Sequence, residues 1–304
     1  MDTFNPIHPL GLRQLLSPPP GVHTVSAAFH RFLGRIGLSG THHQTAGKRA
    51  DTTWRLAHRR LNVVDAFPTG SVVAGTALKA RSDLDVFLVL HYSDHAAGRT
   101  PTEFLNVVRS ALSSYNARLV RRNGQAVTLY FQSWPSVDVV PAVMVTECGE
   151  FRYYKIADMN RDVWIATNPH AHSHHMQRLS RRALDRIQLL KAWNAVHSAY
   201  FQSHHLETLA LLAPPVTGDT SWDLLMAFDA VRSNLDRSIV DASGLGYVDD
   251  YLDGAARLEA RKRIQTATDL AREAWYLTYG RNNEHRRAIE ILGRIFGSDF
   301  PSYG

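Results

Sequence analysis

Ser82-Asp83-Leu84-Asp85-Val86-Phe87-Leu88-Val89-Leu90 decides the fold. From Leu84 onward it is apolar apart from Asp85, rich in branched residues and short, which predicts a buried strand over 84–90. Residues two apart on a strand share a face, so Asp83 and Asp85 project together. Like charges so close repel, and burying the pair is costly unless a cation neutralises it. A second apolar run, Ser136-Val137-Asp138-Val139-Val140, also reads as a strand. If the two strands pair, Asp138 joins the same face. Three carboxylates at one point suit a hard divalent cation, Mg²⁺ or Mn²⁺, that takes few carboxylates and keeps room for substrate phosphates. Two such ions roughly 3.5–4 Å apart can stabilise both the attacking and the leaving oxygen of an in-line displacement.

Gly70-Ser71 lies upstream, with eleven residues between Ser71 and Asp83. Glycine permits close backbone approach, and the amides and hydroxyl that follow can hold phosphate oxygens at the start of a short helix. Each piece alone has a blander reading. A lone Gly-Ser carries nothing, an Asp-x-Asp at a strand start is commonly a turn or a cap, and Asp138 could be an edge residue. The three in order, on apolar strands, point to metal-dependent phosphate chemistry.

Outward from this centre, an irregular arm runs through Pro18-Pro19-Pro20. Helices are expected over 26–38 and 41–62, and turns with a short helical stretch over 72–80. A further helix is expected over 101–119, with Phe104, Leu105, Val108, Leu112 and Tyr115 on one face. Asn123-Gly124 signals a turn. Strands are expected over 127–132, 137–145 and 151–157. Beyond Pro169 the strand signal ends. A long helix is expected over 176–196, then helices over 201–213, 220–239, 255–279 and 284–296. The fold class is α/β (α+β): a sheet lobe with N-terminal helices over 1–165, a helical lobe over 166–304, and a cleft between them.

At 44% apolar and 20% charged residues, the composition excludes wholesale disorder. No apolar run approaches the roughly 18 residues of a membrane span. The segment Met1 to Leu16 lacks a basic start followed by an apolar core, so no secretory signal is expected. Cys148 is the one cysteine, which excludes an internal disulfide and fits a reducing cytoplasm. The net charge of +6 helps to attract polyphosphates but is too small and too dispersed to argue for a nucleic-acid groove.

Gly70-Ser71, Gly75-Thr76, Ser82-Asp83-Leu84-Asp85 and Val137-Asp138-Val139-Val140-Pro141-Ala142 resemble the core of the polymerase-β-like nucleotidyltransferase superfamily. Within it, three further stretches resemble the bacterial cGAS/DncV-like nucleotidyltransferases (CD-NTases), which make cyclic oligonucleotide signals in anti-phage defence. They are Leu189-Leu190-Lys191-Ala192-Trp193-Asn194, Ser203-His204-His205-Leu206-Glu207-Thr208-Leu209, and the close Ile295-Phe296-Gly297-Ser298-Asp299-Phe300-Pro301. The resemblance spans about residues 55–301. It implies that Asp83, Asp85 and Asp138 are the catalytic metal ligands and that Gly70, Ser71, Lys191 and Ser203 hold the donor triphosphate. His204 departs from the family's base-stacking tyrosine; imidazole also stacks, more weakly and with pH dependence. The resemblance further implies nucleoside triphosphates as substrates and a product read by a downstream effector. No membrane partner is expected, a monomer is expected, and without a long Lys/Arg run or a zinc insertion no nucleic-acid activator is expected.

The residues themselves give Lys191 two readings, a phosphate ligand or a solvated helix lysine, and the first is favoured in a chain with only five lysines. Ser203 reads equally as a helix N-cap. His170, His172, His174 and His175 form a histidine-rich turn for which a polar loop is favoured over zinc. Arg178, Arg181, Arg182 and Arg186 stripe one helix face and read as solvated. Trp134, Trp193, Trp222 and Trp275 read as packing, and Cys148 has no role. The alternatives to a cyclic oligonucleotide synthase are a transferase acting on a tRNA end, a protein or a small molecule, a nucleic-acid-activated synthase, and a silent nucleotide-binding scaffold.

Overall fold

The computed structural model describes residues 21–79, 81–113, 117–148 and 151–304. The arm through Pro20, the segment read for a secretory signal, and Tyr115 lie outside the described residues. In chain order, α1 (Val25–Ile36) and α2 (Gly40–Arg60) lead into β1 (Val63–Thr69), α3 (Gly70–Ala74) and β2 (Leu84–Leu90). Then come α4 (Tyr92–His95), α5 (Pro101–Leu112), β3 (Leu119–Asn123), β4 (Ala126–Tyr130), β5 (Val137–Cys148), β6 (Phe151–Asp158) and β7 (Val163–Thr167). Helices alone follow: α6 (Pro169–Gln177), α7 (Arg181–Val196), α8 (Ser203–Leu211), α9 (Thr220–Asn234), α10 (Gly254–Tyr276) and α11 (His285–Phe296).

Among the described residues the strands form one mixed sheet in the order β1-β2-β5-β4-β3, and the far half of β5 pairs with β6, which pairs with β7. β2 and β5 are parallel; β1, β4 and β6 run antiparallel to their neighbours. Strand alternation sorts β2 cleanly. Leu84, Val86, Leu88 and Leu90 enter a core with Val137, Val139 and the α5 residues Phe104, Leu105 and Val108. Phe87 and Val89 face the other way, with Ala142 and Tyr154. A third apolar cluster unites α7 to α11 with α1. There the ending Phe296–Pro301 has a packing role, since Phe296 and Phe300 lie 4.9 and 5.1 Å from the Phe32 ring. Thus α1 precedes the sheet in the chain but buries its apolar face in the helical core.

Several elements depart from the sequence reading, each for a local reason. β1, β3 and β7 carry little burial signal because they lie toward the sheet margins. β1 also contains Pro68, which edge strands tolerate. The helix expected over 176–196 is two helices: α6 is capped by Arg178, and the Ser180 hydroxyl accepts the Ala183 N–H at 3.3 Å to start α7. The histidine-rich stretch is therefore helix, not turn, because the Asn168 side chain caps it and Pro169 opens it. α5 stops at Leu112, short of the expected 119.

Candidate active site

In the parallel β2/β5 register, Leu84 faces Val137 and Asp85 faces Asp138. Adjacent strands lie about 4.8 Å apart, so these carboxylates stand side by side on the face opposite the large sheet core. Asp83, one residue before β2, has the parity of Asp85 and sits exposed at the rim. The three charges act on one another. Burial, then the Asp138 and Asp83 charges, push Asp85 up to about 7. Burial and the Asp138 charge raise Asp83. Burial raises Asp138, opposed by the Thr128 hydroxyl, which donates to its Oδ1 at 2.5 Å. Thr128 is placed for this by register, directly opposite Asp138 on β4.

Thr69 at the end of β1 pairs with Asp85, and the chain turns there into α3. Gly70 has φ +68, and a Cβ on it would fall inside the van der Waals envelope of Asp85 Oδ2. Glycine is required here to make room for the carboxylate as well as for the left-handed backbone. The Ser71 carbonyl accepts the N–H groups of Thr76 and Ala77, both at 3.0 Å, which closes α3 over Gly75 (φ +74).

The helical side supplies the cationic half. Lys191 on α7 is buried, so the solvated reading fails. Its ammonium donates to Glu207 Oε1 at 2.9 Å and to Thr76 Oγ1 at 3.3 Å. Thr76 Oγ1 in turn donates to Glu207 Oε1 at 2.7 Å. The His172 ring donates from Nε2 to Glu207 Oε2 at 2.9 Å. Burial pushes the Glu207 carboxyl up, but the His172 hydrogen bond and the Lys191 ammonium more than reverse this and hold it at about 2. Both Lys191 and Glu207 act on the Asp85 charge, so this network borders the acidic cluster.

Ser203 is the first residue of α8 and is exposed, while Gln202 occupies the N-cap; the capping reading of Ser203 is therefore corrected. His204 follows, its ring perpendicular to that of His172 at 4.5 Å. Burial and His172 push His204 below the usual imidazole range. The expected arginine stripe does not exist as such. Arg186 is buried and donates to the carbonyls of Pro214 and Ala210 at 2.6 and 3.1 Å, while Arg181 pairs with Asp185 at 2.9 Å. Trp193, Trp222 and Trp275 pack with the helical core and Trp134 with the sheet core, where its indole also donates to the Ser82 carbonyl at 2.7 Å.

Sequence reasoning gave Glu207, Thr76, Thr128 and His172 no role. A buried lysine requires a carboxylate, a signal for Glu207 that exists only once the fold shows Lys191 to be buried. Thr128 needed the β4/β5 register. The donor set of the aspartate cluster fits a divalent cation: the carboxyls sit above their ordinary pKa, and the nearby Lys191 is already paired.

The chain is similar to known proteins in sequence and in fold. The chain is 22% identical over 336 aligned positions to a Bacillus cereus (strain VD146) protein named as a probable cyclic nucleotide synthase, covering 93% of this chain and 99% of that one. The fold matches the Bradyrhizobium diazoefficiens CD-NTase CdnG, solved with GTP, at a TM-score of 0.75 and 15% identity, over 90% of this chain and 94% of that one. It matches Escherichia coli MS115-1 CdnC, solved with ATP, at a TM-score of 0.69 and 17% identity, over 92% of this chain and 100% of that one. No helix among the described residues is long and apolar enough to cross a membrane. Residues 24–179, slightly more than half of the chain and including all three aspartates, match the Second Messenger Oligonucleotide or Dinucleotide Synthetase domain, and the protein belongs to that family of nucleotidyltransferases.

Proposed function

We propose that this chain joins nucleoside triphosphates into a cyclic dinucleotide second messenger with release of pyrophosphate, at a cleft between the sheet lobe and the helical lobe, the latter including α1. The observation that carries the reading is the Asp85–Asp138 pairing in parallel register, with Asp83 in electrostatic reach and an ionised Lys191–Glu207 pair alongside. Asp83, Asp85 and Asp138 hold Mg²⁺, with Mn²⁺ as a substitute. When bound, the metal supplies charge neutralisation for the carboxylates and for the transferring phosphoryl group.

The chain's own groups do the rest. Ser71, Lys191 and Ser203 hold the β- and γ-phosphates of the donor, with Gly70 allowing close approach. His204 stacks on a nucleobase. Thr128 fixes Asp138 through Oδ1, and Asp138 Oδ2 takes the proton of the acceptor ribose hydroxyl. The deprotonated oxygen forms a bond to the α-phosphorus of the donor as the bond to pyrophosphate breaks. The linear product then rebinds with its ends exchanged, and a second displacement closes the ring. Catalysis is mainly positioning and electrostatic stabilisation. The enzyme acts as a cytoplasmic monomer without a nucleic-acid activator, and an anti-phage effector reads the product.

Chromatography and mass spectrometry of products from the purified protein, Mg²⁺ and four individually labelled triphosphates test this. A cyclic product without added acceptor is expected. Pyrophosphate release only when a tRNA, protein or small-molecule acceptor is supplied would assign the other transferase reading.

A further inference from the structure

α6 and α8 bring His172, His204 and Glu207 together so that one nitrogen of each imidazole and one carboxylate oxygen all lie within 4.8 Å of one another. This trio comes from the histidine-rich stretch and from a helix more than thirty residues downstream. It is chemically distinct from the aspartate cluster. We propose that His172, His204 and Glu207 form a second metal site, selective for a late first-row divalent ion such as Zn²⁺.

Donor type carries the selectivity. Two imidazoles and a carboxylate suit Zn²⁺ or Co²⁺, whereas Mg²⁺ prefers oxygen alone. Three protein ligands leave one position of a tetrahedral ion for water or another ligand. With metal–ligand distances near 2.0–2.2 Å, donors on such an ion stand about 3.3 Å apart. His172 Nε2 and Glu207 Oε2 are already 2.9 Å apart. A ring nitrogen of His204 lies within 4.8 Å of both, and it would bind in the plane of the imidazole, which leaves the ring's faces for the nucleobase.

The support around the trio also fits. Lys191 and Thr76 both donate to Glu207 Oε1, at 2.9 and 2.7 Å, which fixes the carboxylate and leaves Oε2 toward His172. Such outer partners orient metal ligands. Loading replaces the His172 Nε2–H···Oε2 hydrogen bond: the Nε2 proton is displaced to solvent, and the ring binds through Nε2 as the neutral tautomer with its proton on Nδ1. The Lys191 charge beside Glu207 makes this site weaker than a structural zinc centre.

The test is calorimetric titration of the full chain with Zn²⁺ in millimolar Mg²⁺, alongside the visible absorption of the Co²⁺ form. One ion per chain and tetrahedral Co²⁺ bands are expected. His172→Ala and His204→Ala should each weaken binding by more than roughly 100-fold, because loss of outer partners alone costs about 10–100-fold. Circular dichroism in EDTA checks that both variants are folded, and His172→Gln and His204→Gln replace any that are not. Asp85→Asn should leave Zn²⁺ uptake and the Co²⁺ bands unchanged. No uptake by the wild type, uptake indifferent to both histidines, or uptake lost in Asp85→Asn would overturn the proposal. The last result would place the ion in the aspartate cluster.

Discussion

Replacing Asp85 by asparagine should stabilise the metal-free protein while abolishing its chemistry. Burial and two neighbouring carboxylates hold Asp85 at about 7 instead of 3.8. The folded state therefore binds this proton more tightly than the unfolded chain does. Between pH 4 and pH 7 stability falls as pH rises, and above about 7 the full penalty is present. Three units at about 1.36 kcal/mol each give roughly 4 kcal/mol, and partial solvation of the site reduces this to about 2 kcal/mol. Asparagine keeps the shape and removes the charge. At pH 8 in EDTA its melting temperature should rise by roughly 3 °C, since unfolding a chain of 304 residues carries about 0.6 kcal/mol of entropy per degree. At pH 4 the difference should vanish, because the wild-type carboxyl is then protonated. Mg²⁺ should raise the wild-type melting temperature and have much less effect on the variant. A variant that melts at or below the wild type at pH 8, or a gain equal at both pH values, would refute the claim that repelling carboxylates are stored at this point.

Four further outcomes are expected. Gly70→Ala should lose activity and about 2 kcal/mol of stability, read by pyrophosphate release and chemical denaturation, because its Cβ would strike Asp85 from a left-handed backbone. Lys191→Met should cost about 3–5 kcal/mol, since it leaves Glu207 buried and ionised without its main cation, and it should also weaken triphosphate binding in a titration. Glu207 contributes stability present above pH 4.5 that disappears as pH falls toward about 2, so Glu207→Gln should flatten the acid limb of the unfolding profile. Thr128→Val removes a hydrogen bond that favours the Asp138 carboxylate, so the acid limb of the pH–rate profile should move to higher pH.

Much of this arrangement is legible in the chain because strand periodicity is strict. Leu84 to Leu90 could bury both faces only as an interior strand, and Asp85 then had one direction in which to point. The helical elements were legible as a set but not in their boundaries: Ser180 restarts a helix where the apolar pattern runs on almost unbroken. β1, β3 and β7 escaped because edge strands carry little burial signal. Thr128 and His172 escaped because their roles arise from tertiary contact. Thr128 is a common strand residue until β4 is registered against β5, and His172 is a polar helix residue until α8 brings Glu207 beside it. Glu207 was closest to being read, since burial of Lys191 demands an anion, but the burial itself is visible only in the fold.

The most direct measurement is an anomalous difference map from crystals grown with Mn²⁺ and a non-hydrolysable nucleoside triphosphate. Strong density is predicted in contact with carboxyl oxygens of Asp83, Asp85 and Asp138, with the triphosphate running toward Lys191. An empty aspartate cluster beside an ordered nucleotide, or manganese density that Asp138 does not touch, would contradict the account.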